Sequence, residues 1–250
     1  ALIGPDTDPV DAARLWLYAG VSRFQTGDLR GAEPMVTRAA STFGEFGEEA
    51  DAAGAQIMRA GVLLGSGRAD EIDDELEEAL KVMRAHGIDW GVGYAAYALG
   101  GLAELRGDVA GARTAQQEAL AAAARIGLEP LEALAQISLA LLDLTQGALD
   151  QTRRRLAEAA ATLERIRYLE GTGYALDAGA GLAVAEGRPE AAGAALRAAD
   201  EIRERLRIPI WPPLRPLHDS LVAASSGHQL PNLGGDPWIV LRQTLGRLSA

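Results

Sequence analysis

The sequence predicts an all-α solenoid of stacked antiparallel helix pairs, on three observations. Turn glycines recur at Gly27, Gly67, Gly107, Gly147 and Gly187, every interval being 40 residues. Small side chains keep phase with them, at Gly20, Ala60, Gly100, Ala140 and Ala180 before the turn and at Ala39, Ala79, Ala119, Ala159 and Ala199 after it. Alanine supplies about a fifth of the 250 residues and aromatics only 5%. That balance favours close-packed helices, because Ala has the best helix propensity while sheets draw on branched and aromatic residues.

Each unit reads as a helical hairpin. A glycine after the first helix ends it in the left-handed conformation without a Cβ penalty. The small residues sit where the two helices cross, and a large side chain there would overpack by roughly 1–3 kcal/mol. The first helices run 9–25, 49–64, 91–106, 130–145 and 171–186; the second run 29–43, 70–85, 109–126, 149–166 and 189–206. A looser column, Ala32, Ile72, Ala112, Thr152 and Ala192, opens the second helices. One hairpin leaves an apolar face uncovered, so stacking neighbours completes the core. Residues 1–8 form an extension, followed by units at about 9–47, 48–87, 88–127, 128–167 and 168–207. Four prolines within 208–216 stop the fifth unit. A sixth first helix at 214–224, a turn at Ser226-Gly227-His228, a loop from Pro231 and an amphipathic helix at 237–248 make residues 208–250 a divergent cap.

Charge and composition exclude several functions. The formal charge is −11 and the isoelectric point about 4.8, against the basic stripe that a nucleic-acid backbone requires. Without cysteine there is no disulfide, thiol catalysis or Cys-ligated zinc. Apolar stretches such as 90–103 fall short of the roughly 20 residues of a membrane helix, and the start lacks a signal peptide. A cytoplasmic setting follows as the expectation. Phosphate-binding loops, HExxH and GxSxG are missing, and His86, His218 and His228 are too scattered for a helical metal pair. The sequence therefore names no catalytic residue, cofactor or metal. The acidic run from Asp70 to Glu78 is expected to open a helix with a solvated face, since carboxylates suit a helix N-terminus. Arg153, Arg154 and Arg155 are likewise expected to face solvent.

Trp16, Gly20, Gly27, Asp28, Ala32 and Ala39 fall at the spacing of the tetratricopeptide repeat, and Gly100, Gly107, Asp108, Ala112 and Ala119 repeat it. Over about 9–206 the chain resembles that family, which implies a right-handed superhelix whose first helices line a concave face. The unit of 40 is longer than the usual one of about 34. It is similar to the long-helix repeats in sensor arms of MalT-like, large LuxR-type and AfsR-like bacterial transcriptional regulators. Trp16, Gln56, Ala96, Gln136 and Leu176 share one column, and that register sets the concave columns. From them come the candidate groove residues Arg14, Phe24, Tyr94, Tyr97, Glu104, Leu134, Ile137, Leu141, Tyr174 and Asp177. Tyrosines with an apolar body and a polar tip suit recognition, although the aliphatic members equally suit packing on a neighbouring unit. The Lys and Asn with which some family members clamp a C-terminal carboxylate are absent.

The resemblance implies a non-catalytic interaction and sensing arm whose partner is a protein, a peptide or a small-molecule effector. Two other readings stand beside it. One is a free-standing scaffold or adaptor that assembles other proteins, a reading that a homodimer through the acidic and Arg-rich outer faces would favour. The other is an enzyme using Glu104 and Asp177 in the cavity for proton chemistry.

Overall fold

The structure, a computed structural model, describes residue 4 and residues 6–72, 74–225 and 236–246. Ten α-helices form five consecutive antiparallel pairs: α1 (Pro9–Gln25) with α2 (Leu29–Glu45), α3 (Glu49–Gly65) with α4 (Glu75–Ala85), and α5 (Asp89–Leu105) with α6 (Val109–Ile126). They continue as α7 (Glu129–Thr145) with α8 (Leu149–Ile166) and α9 (Leu169–Ala185) with α10 (Pro189–Leu206). α11 (Arg215–Ser225) and α12 (Pro237–Leu245) follow. Among the described residues there is no strand, and no helix is long and apolar enough to cross a membrane.

The predicted turns have a local chemical cause. Each of the five turn glycines takes φ between 70° and 78°. In the first, Asp28 N–H donates to Arg23 O and Gly27 N–H to Phe24 O, a Schellman closure of the helix end. Asp28 then caps the next helix, its carboxylate accepting from Gly31 N–H at 2.9 Å, and Asp108 does the same for Gly111. Unanticipated was a second left-handed series midway between these turns: Gly47, Gly87 and Gly127, then Arg167 (φ 57°) and Arg207 (φ 56°). The direction of the chain is thus reset every 20 residues, and the last two resets place arginine in a conformation that costs a side chain about 1–2 kcal/mol.

The small-residue columns are the helix crossings. A side chain on Gly20 would begin 2.6 Å from Val36 Cγ1, and one on Gly100 2.5 Å from Gln116 Nε2. Ala39, Ala79, Ala119, Ala159 and Ala199 are all essentially inaccessible. Helices this close bury their apolar face with little side-chain volume, which is how an Ala-rich sequence builds a dense core.

Two expectations require correction. The acidic run does not open α4: residues 69–71 form a 3₁₀ turn, Ile72 is extended (φ −87°, ψ 110°), and the helix starts only at Glu75. Ile72 is the bulkiest member of its column and is buried at the crossing, so the backbone unwinds locally to seat it. Crowding of Asp70, Glu71, Asp74 and Glu75 opposes a helical turn there as well; Asp73 lies outside the described residues. Of the three arginines only Arg154 faces water, bonded to Gln151 of its own helix. Arg153 pairs with Glu186, while Arg155 binds Asp143 at 2.8 Å and Gln136 Oε1 at 2.7 Å, tying α8 to its neighbours.

The C-terminal segment returns along the inside of the solenoid. A side chain on Gly27 would begin 2.9 Å from the Arg207 carbonyl oxygen and 3.2 Å from Ile208 Cγ2, so the first turn meets the end of the fifth pair. After a 3₁₀ turn at Pro212–Leu214, α11 packs on α9 and α10. α12 lies across α8, α9 and α10, with Leu241 and Thr244 beside Gly179 and the Arg167 guanidinium 3.9 Å from the Trp238 ring centroid. The Ser226-Gly227-His228 turn, residues 231–235 and the helix's expected continuation over 247–248 lie outside the described residues.

Candidate functional site

α5, α7 and α9 line a small cavity with Tyr97, Glu104, Leu134, Ile137, Ser138, Leu141 and Tyr174. Six of these seven are residues that the repeat register selects as groove-facing. The remaining wall comes from Trp211, Pro213 and Leu214 of the returning segment. Trp211 stacks on Tyr97 with ring centroids 6.2 Å apart and planes 19° apart, and lies 6.5 Å from Tyr174 at 38°. Such offset arrangements are favoured by the ring quadrupoles. Pro213 and Trp211 rest over Gly101, whose missing side chain leaves room for them at 3.7–3.8 Å. Leu214 is buried, and Trp211 packs against both the α7–α12 core and the α3–α6 core.

The site is apolar with a few well-defined polar groups. Tyr174 donates its hydroxyl to Glu170 at 2.6 Å, and Tyr168 reaches the other oxygen of that carboxylate at 3.3 Å. Burial pushes the Tyr97 and Tyr174 hydroxyls well above the usual phenol range, Glu104 and Glu170 adding to the effect on Tyr97. Burial also raises the Glu104 carboxyl to about 7, against the opposing hydrogen bond from Gln116. Gln116 Nε2 donates to Glu104 at 3.3 Å, while its Oε1 is buried without a hydrogen-bond partner. Near neutral pH, then, this wall carries an acid that can either donate or accept a proton.

The other candidate residues lie elsewhere. Arg14 is half exposed at the start of the solenoid, bonded to Asp11 at 3.2 Å and Asp51 at 3.5 Å. Phe24 packs with Val36 and Val62 between the first and second pairs, and Tyr94 packs against the α3–α6 core. Asp177 lies fully buried outside the cavity, bound by Arg203 at 2.6 Å and by His218 Nδ1 at 3.1 Å. Arg203 also holds Asp200 at 2.6 Å. Glu104 and Asp177 therefore do not share a chamber, and the cavity itself, about 10 Å³, has room for about one water molecule.

Trp211, Pro213, Leu214 and Ser138 are the lining residues that the register of the repeat does not reveal. A tryptophan set among prolines, in a chain with four tryptophans, was the available signal for the first of them.

No family model matches the chain, and no curated protein does. Solved structures resemble it. One is a Rap protein in complex with Competence and Sporulation Factor, 13% identical with a TM-score of 0.60; the likeness covers 88% of this chain and 65% of the Rap chain. Another is a Podospora anserina protein named as a kinesin light chain with nearly identical TPR-like repeats, 14% identical with a TM-score of 0.55, over 80% of this chain and 99% of that one. At such identities the likeness speaks to fold: an all-α solenoid of TPR-like repeats.

Proposed function

We propose that the chain is a non-catalytic interaction module that binds an extended segment of a protein or peptide on its concave face. The repeats over 9–207 form the binding arm and residues 208–250 complete it. The observation that carries this reading is the seating of Trp211 between Tyr97 and Tyr174: the concave wall accommodates an extended, Pro-flanked aromatic segment with good ring geometry. Leu134, Ile137 and Leu141 supply the apolar floor and Glu104 a polar edge, the mix expected where a few buried anchors carry affinity. The likeness to a repeat protein solved in complex with Competence and Sporulation Factor supports a binding role for such an arm. The 40-residue unit and its similarity to sensor arms support a place within a bacterial transcriptional regulator. There the bound partner would act by favouring one of two arm conformations, which it binds more tightly than the other.

The test is selection of short peptides from a displayed library on the immobilised chain, each then titrated against Leu134→Arg and Tyr97→Ala. At least tenfold weaker binding to both is expected. Peptides that bind the variants as well as the native chain would place recognition elsewhere.

A further inference from the structure

We propose that residues 208–214 are an intramolecular ligand of the concave site, and that a partner segment of the same chemistry, an aromatic residue flanked by prolines, binds by displacing them. This rests on the reading of the concave face as the interaction surface, and adds what the ligand looks like and what it must compete with.

The segment is held as a bound peptide would be. Trp211 has φ −57° and ψ 123°, an extended polyproline-like backbone, and Pro209, Pro212 and Pro213 remove donors that a helix or sheet would use. Among the described residues, its backbone makes no hydrogen bond to the first four helix pairs. Ile208 N–H donates to Arg203 O in closing α10, and Leu214 N–H to Trp211 O within its own turn. Attachment to the wall is therefore by side chain: Trp211 on two tyrosines, Pro213 over Gly101, and Leu214 buried. Such a segment can leave together with its own 3₁₀ turn, breaking no backbone hydrogen bond to the helices of the wall.

Occupancy by both is excluded by space. With the segment in place the cavity measures about 10 Å³, so an incoming side chain of any size must replace Trp211. The competing segment is tethered at both ends, by α10 and by α11, and its effective concentration is correspondingly high. The affinity for an external segment is then reduced by the fraction of molecules in which the site stands empty. Upstream of the segment stands Arg207, left-handed at φ 56°, where the chain turns from α10 into the groove.

The experiment uses a fluorescein-labelled synthetic peptide of residues 206–215, titrated by fluorescence anisotropy against the full chain. Trp211→Ala is expected to bind it at least tenfold more tightly than the native chain, and adding Leu134→Arg to abolish the gain. A second protein covers the case in which Trp211→Ala fails to fold. The chain has no cysteine, so Gly101→Cys/Pro213→Cys can lock the segment in place by one disulfide. The oxidised form is expected to bind the peptide at least tenfold more weakly than the reduced form. Equal binding by oxidised and reduced protein would overturn the proposal, as would a folded Trp211→Ala that binds no better than the native chain. In either case, library peptides that still depend on Leu134 and Tyr97 would leave the concave face as the interaction surface. If those peptides ignore Leu134 and Tyr97, that reading falls too.

Discussion

The Asp177 carboxylate, with no exposed surface, accepts a 2.6 Å hydrogen bond from Arg203 and so joins α9 to α10 at the level where α11 crosses them. His218 of α11 completes the group from the third side at 3.1 Å. Removing one partner of a buried pair strands the other charge, which costs about 3–5 kcal/mol. Asp177→Ala should lose the lower end of that range, about 3 kcal/mol, in urea unfolding, because Asp200 still pairs with Arg203. Arg242→Ala breaks an exposed pair with Glu164 and should lose less than about 1 kcal/mol. Comparable losses from the two substitutions would refute the account of the buried group.

Two groups make stability depend on pH in the same sense. Glu104 has its folded-state pKa raised from 4.5 to about 7 by burial. The folded chain keeps a proton there that the unfolded chain releases, so stability falls as pH rises from about 4.5 to 7. His218 is raised above 6.5, chiefly by its hydrogen bond to Asp177 and despite desolvation. Its contribution is complete below about 6.5 and is lost as pH climbs through the raised value. Melting temperature should therefore decline from pH 5 to pH 8, by the equivalent of about 1–3 kcal/mol. Glu104→Gln should flatten the lower part of that decline. At the acid end Asp28 is held below the usual range by Gly31 N–H and Arg23, and Asp89 by Arg125. Protonating them reverses the trend below about pH 4.

The turn glycines and the crossing glycines should respond differently to alanine. Gly147 has φ 73° and open space where a side chain would begin, so Gly147→Ala costs the backbone term alone, about 1–2 kcal/mol. Gly147→Val should cost more, because a β-branched residue fits that region worst. At Gly20 the conformation is helical and the obstacle is Val36 Cγ1 at 2.6 Å. Gly20→Ala combined with Val36→Ala should therefore recover part of the loss from Gly20→Ala alone. Val36→Ala should not rescue Gly147→Ala. Thermal unfolding of these five variants beside the native chain decides it.

Ending the chain at Arg207 removes Trp211 from the concave face and α12 from α8, α9 and α10. Leu134, Leu141, Tyr97 and the apolar side of α9 then become accessible together. Exposed apolar area on this scale promotes association, and light scattering should find the shortened chain oligomeric at micromolar concentration. A monomer of unchanged solubility would mean that residues 208–250 cover nothing essential.

Local rules made most of the architecture legible from sequence. Gly27 and its equivalents mark turns because a left-handed residue without a Cβ is cheap, and the small columns follow from helices that must approach closely. Both signals repeat every 40 residues and so reinforce one another. Arg167 and Arg207 were illegible for the converse reason: their conformation is imposed by packing against propensity. The break before α4 was legible only in part: the like charges of Asp70 with Asp74 and Glu71 with Glu75 oppose a helical turn, while the same carboxylates suit a helix N-terminus, so the charge pattern points both ways. Six groove residues could be named because they share a register, whereas Trp211 meets Tyr97 across half the chain with no periodic trace. Asp177 occupies a concave column by register, but Arg203 and His218 approach it from elements outside that register.

The encounter of Gly27 with Arg207 also bears on how many units the molecule can have. Repeat arrays with two free ends lengthen or shorten by duplication, since each module touches just its neighbours. Here the turn at Gly27 also meets Arg207 and Ile208, where the chain leaves α10, and a glycine fits beneath that carbonyl. A unit inserted in the middle would stack on both sides and still carry Gly27 away from the Arg207 carbonyl, so this contact is sensitive to the spacing between the first turn and the end of α10.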